Sequence, residues 1–103
     1  MNAKPLRGKL RVLIVDDHPI VRRGLRELVA DEPDLEVCGE AEGLEDGLRL
    51  VVELKPDIVV IDLSLKTGHG FDLLERIKDC SPRTKTLVST MHNEFLFAER
   101  ALR

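Results

Sequence analysis

Three carboxylates and one hydroxyl stand where a side chain can do chemistry. Asp16 and Asp17 close the apolar run of residues 11–15, Asp62 closes the run of residues 57–61, and Thr90 lies near the end of a further run, residues 86–91. Carboxylates brought close together repel and raise one another's pKa unless a cation is present. An oxygen-rich acidic site with few protein ligands and retained water suits Mg2+, and Mg2+ in turn suits phosphate chemistry. The structural alternative is that Asp16 and Asp17 cap a helix opening at Pro19 while Asp62 caps a loop. Capping accounts for one of these acids. It does not account for three at the ends of two strands, so the functional reading is preferred.

The acids meet only if the chain folds to bring them together, and its patterning says how. Residues 11–15 and 57–61 are nearly continuous runs of Val, Ile and Leu, the signature of strands buried on both faces. Leu35, Val37 and Gly39 alternate with Glu36, Cys38 and Glu40, which suits an edge strand, and residues 86–91 supply a fourth. Between the strands, Val21, Leu25, Leu28 and Val29 share a face of a helix with Pro19 in its first turn. Leu44, Leu48 and Val51 mark a second helix, Leu74 and Ile77 a third, and residues 94–103 are expected to begin a fourth. Strict alternation of strand and helix implies right-handed crossovers and a parallel sheet with helices on both faces. In such α/β sheets ligands bind beyond the carboxyl ends of the strands, at the switch point in strand order. In a flavodoxin-like order the first and third strands are neighbours, which gathers the three acids.

The segments VDDHPIVRRGLRELV, PDIVVIDLSLKTGHGFDLL and STMH together resemble the receiver domain of two-component response regulators, especially the NarL/FixJ group, from about Lys9 onward. The acid pair, the third-strand Asp with Gly70 eight residues on, and a hydroxyl after the fourth strand form a specific set. The resemblance implies a doubly wound, flavodoxin-like receiver fold of strand order 2-1-3-4 over residues 9–103, with residues 1–8 a tail. The family's fifth strand, its phosphoryl-pairing lysine and its fifth helix are expected beyond Arg103. It further implies that Asp62 accepts a phosphoryl group from a sensor histidine kinase. Asp17 ligates Mg2+ directly, Asp16 mainly through water, and the Ser64 carbonyl completes the protein ligands. Thr90 is the implied switch, because Ser89 and Thr90 point to opposite faces of a strand and the STMH spacing favours Thr90. Lys66 stands where many members have proline.

Other readings fare less well. A haloacid-dehalogenase-type phosphatase expects a second acid two residues after its nucleophile, where Ser64 stands; a Toprim-type nuclease expects acid-x-acid, whereas Asp16 and Asp17 are adjacent. A noncatalytic receiver-like interaction module would be expected to have lost an acid. The chain is therefore read as a phosphorylated switch rather than an enzyme, with an output expected in transcription through a DNA-binding domain elsewhere in the parent. A net charge of −3 argues against nucleic-acid contact by this segment. Arg22, Arg23 and Arg26 read as a solvated helix face. No apolar run nears the roughly 18 residues of a membrane span, so a cytoplasmic location is expected. Cys38 and Cys80 lack metal or redox spacing. His18 is expected to shape the site's rim, His92 to tune water access or face solvent, and His69 to be inert. Gly24 implies close packing or tolerance. An open edge along residues 86–91 makes self-association an expectation.

Overall fold

The computed structural model describes residues 8–62, 70–89 and 95–97. The elements run β1 (Leu10–Val15), α1 (Pro19–Ala30), β2 (Leu35–Ala41), α2 (Leu44–Leu54), β3 (Ile58–Asp62), α3 (Gly70–Cys80), β4 (Lys85–Ser89) and β5 (Phe95–Phe97). The sheet order is β2-β1-β3-β4-β5. The first four strands are parallel, giving the expected flavodoxin-like order 2-1-3-4.

Strands β1 and β3 are apolar from Val12 to Val15 and from Ile58 to Ile61 because both faces of the sheet are covered there. Val12 to Val15 are each 1 % exposed or less. Successive side chains alternate across the sheet. Leu13, Val15, Val59 and Ile61 therefore pack against Val51 of α2 and Leu73, Leu74 and Ile77 of α3. Val12, Ile14 and Val60 pack on the other side against Leu25 and Val29 of α1. Gly47 lets α2 approach closely, since a Cβ there would stand 3.2 Å from Leu73 Cδ2. The edge strand β2 is half-buried until Ala41, as its weaker alternation implied.

Two expectations change. Val21 and Leu28, assigned to the buried face of α1, are 37 % and 59 % exposed. The helix meets the sheet through Leu25 and Val29, one turn apart, and the other two lie outside that narrow stripe. The sheet also does not stop at β4. Phe95–Phe97, expected in a fourth helix, is a strand antiparallel to β4, with Leu87, Val88 and Ser89 in register with Phe97, Leu96 and Phe95. The outer edge of β4 offers unpaired N–H and C=O groups, and an aromatic, apolar segment suited to strands satisfies them. The β4 edge, expected open, is covered along these residues.

Candidate functional site

In the pairing of β1 with β3, Val15 stands opposite Ile61, so the residues that follow, Asp16 and Asp62, emerge side by side. Asp17 and His18 come next as the chain turns toward α1. One potential ligand atom from each of Asp16, Asp17, His18 and Asp62 lies within 4.8 Å of the others. The three carboxylates expected from their strand-end positions are thus brought together. Asp16 is 1 % exposed and Asp62 5 %, which makes their charges costly to bury without a counter-charge.

His18 stands where its protonated ring would supply part of that counter-charge. Its Nδ1 lies 2.9 Å from Asp16 Oδ1, 3.0 Å from Asp17 Oδ1 and 3.4 Å from Asp62 Oδ2. Its backbone N–H also donates to Asp16 Oδ1 at 2.8 Å, closing a tight local turn. The ring's bond to Asp16 holds the His18 pKa above its ordinary value; partial desolvation opposes this, and the charges of Asp17, Asp16 and Asp62 add to it. Burial lifts the Asp16 carboxyl above the usual range. The bonds from His18 oppose that rise, and the charge of Asp62 adds to it.

The N-cap position of α1 falls to neither Asp16 nor Asp17, and the loop that Asp62 would cap lies outside the described residues. The N-cap of α1 is His18 and makes no side-chain cap bond. Ser64 and Thr90 lie outside the described residues, as do Lys66, His69 and His92. Ser89, the last residue of β4, is in register with Asp62. Two participants were missed. His18, read as a rim residue, has its ring nitrogen among all three carboxylates. Arg22, read as part of a solvated face, donates from Nη1 to the Asp16 carbonyl oxygen at 2.7 Å. Its spacing, six residues past the first acid and inside the first helical turns, is the one signal that could have marked it. A cavity of about 360 Å³ at the opposite end of the sheet, among Val51, Lys55, Asp57, Ser81 and Arg83, holds none of the clustered acids. Chemistry rather than concavity singles out the strand-end cluster.

Comparison with known proteins agrees with this geometry. A family model described as the response regulator receiver domain matches residues 12–103. The chain is 37% identical to the response regulator GacA of Pseudomonas aeruginosa over 93 residues, 90% of this chain and 44% of that protein. It is 33% identical to the nitrate/nitrite response regulator protein NarL of Escherichia coli over 82 residues, 80% of this chain and 38% of that protein. The chain thus spans less than half the length of these curated relatives. The crystal structure of a LuxR-family two-component response regulator from Aurantimonas sp. superposes with a TM-score of 0.77 at 37% identity, covering 91% of this chain and 65% of that one.

Proposed function

Since this chain belongs to the response regulator receiver domain family, we propose that it is a phosphoacceptor module in which Asp62 takes a phosphoryl group from a sensor histidine kinase. The observation that carries this reading is the convergence of Asp16, Asp17 and Asp62 at the carboxyl ends of two adjacent central strands. Residues 9–103 constitute the module, with residues 1–8 a tail.

The donor set fits a hard divalent cation: three carboxylates within reach of one another, around a ring nitrogen whose protonated form they favour. Asp17 and Asp62 would hold Mg2+ directly and Asp16 chiefly through water, with the Ser64 carbonyl completing the protein ligands. Bound there, Mg2+ supplies neutralisation of charge on the phosphoryl oxygens, which is where phosphoryl transfer needs help. Asp62 Oδ forms the new P–O bond as the P–N bond of the kinase phosphohistidine breaks, its electron pair returning to the imidazole. The rigid end of β3 holds Asp62 for in-line attack, and the Thr90 hydroxyl turns toward the phosphoryl group to report its arrival. The output is regulation of transcription through a DNA-binding part of the parent protein, in the cytoplasm; the domain switches and does not turn over substrate. No helix among the described residues is long and apolar enough to cross a membrane.

The test is phosphorylation by a small donor. In a chain extended to include the lysine the family carries on its last strand, acetyl phosphate with Mg2+ is expected to add one phosphoryl group by intact mass. Asp62→Asn is expected to add none. A variant that still gains the group would overturn Asp62 as the acceptor.

A further inference from the structure

The three arginines of α1 have different fates. The side chain of Arg23 is 74 % exposed and that of Arg26 48 %, whereas that of Arg22 is 16 % exposed. Arg22 reaches in two directions. Its Nη1 donates to the Asp16 carbonyl oxygen at 2.7 Å, and its Nε lies 3.4 Å from Glu40 Oε1 on β2. The other oxygen of Glu40 accepts from Arg26 Nη1 at 2.6 Å. On its other side Asp16 donates its N–H to the Ala41 carbonyl at 3.0 Å. Both backbone polar groups of Asp16 are therefore held beyond the last residue of β1, the N–H by β2 and the carbonyl by α1.

The Asp16 carbonyl and the Asp17 nitrogen and Cα lie in one peptide plane. Fixing that carbonyl fixes where the Cα of Asp17 stands, and so narrows the directions in which the Asp17 carboxylate can leave the chain. A guanidinium can serve two acceptors at once in a set geometry, which an ammonium on a flexible stem cannot. We infer that Arg22, braced by Glu40, is a positioning residue for the cation site: it orients the Asp16–Asp17 peptide so that the acid pair is set before a cation arrives. This inference rests on the reading of the acids as a Mg2+ site. Groups that orient metal ligands without touching the metal commonly govern affinity about as strongly as a lost ligand hydrogen bond, on the order of tenfold or more.

The experiment is a titration with Mg2+ followed through backbone amide shifts, with thermal unfolding of each metal-free protein recorded alongside. It compares the wild-type chain with Arg22→Ala, Arg22→Lys, Glu40→Gln and Asp17→Asn. Arg22→Ala is expected to weaken Mg2+ about tenfold, with Arg22→Lys recovering part of the loss and Glu40→Gln falling between Arg22→Ala and wild type. A purely structural role would lower the unfolding midpoint and leave the Mg2+ affinity of the folded protein unchanged, and that result overturns the inference. If Arg22→Ala does not fold, Arg22→Lys and Glu40→Gln decide by the same criterion. A wild-type chain without saturable shifts around residues 16, 17 and 62, or one matched by Asp17→Asn, overturns the metal site itself. Wild-type binding that the Arg22 and Glu40 variants match overturns the positioning role alone.

Discussion

Asp16 illustrates what it costs a fold to hold a site ready. Its carboxyl is almost wholly removed from water, and burial makes it harder to ionise than in the unfolded chain. As pH rises through the carboxylate range, the unfolded state releases this proton first, so the residue's contribution to stability falls. Below the ordinary value of 3.8 the penalty is absent. Asp16→Asn keeps an oxygen to accept from the His18 N–H and removes the buried charge. In metal-free protein at pH 7 it is expected to melt a few degrees above wild type, and the advantage should shrink toward zero as pH falls below the carboxylate range. Thermal unfolding monitored by circular dichroism at both pH values checks this; an Asn variant that melts lower at pH 7 contradicts the account. The acids themselves were legible in the sequence because they sit at the ends of runs that only central strands explain. His18 and Arg22 were not, because their roles depend on the turn after Val15 and on Glu40 of a different strand, which no local period encodes.

Among the elements, α1 and α2 use glycine in opposite ways. Gly47 of α2 faces Leu73 and Val15 at near-contact distance, so its lack of a side chain allows the helix to seat on β1 and α3. Gly24 of α1 is exposed, and a Cβ there would meet nothing within 4 Å. The periodic pattern could not separate packing from tolerance at Gly24; the open space around it decides for tolerance. Gly24→Ala is accordingly expected to stabilise the chain by about 0.5–1 kcal/mol through helix propensity alone. Denaturant unfolding checks it, and a destabilised variant would mean that another surface packs on that face. The helices as such were legible: Leu25, Val29, Val51, Leu74 and Ile77 are buried where the 3.6-residue period put them. The period overstated the width of the α1 stripe, since it marks apolar residues on one side without saying how far the sheet reaches round them. Leu28 is the result.

At the scale of the whole molecule, the parallel order of four strands follows from the alternation of elements, because right-handed crossovers leave few other arrangements. β5 does not follow from it. Three residues are too few to display a period, and what recruits them is the unpaired edge of β4, which exists only once the sheet is assembled. That edge is where the molecule is exposed to association, since a long uncovered strand templates pairing with a second chain. β5 covers Leu87, Val88 and Ser89. Because amides alternate in direction along a strand, one of Phe95 and Leu96 must present its N–H to β4. Proline at both positions removes that donor whichever it is. The Phe95→Pro, Leu96→Pro double variant is expected to speed hydrogen exchange at residues 87–89 while leaving β1 and β3, the buried centre of the sheet, protected as in wild type. Light scattering across a concentration series should then show the variant associating at lower concentration than the wild-type chain. If exchange at residues 87–89 and scattering both match wild type, the short antiparallel strand is not what shields the β4 edge.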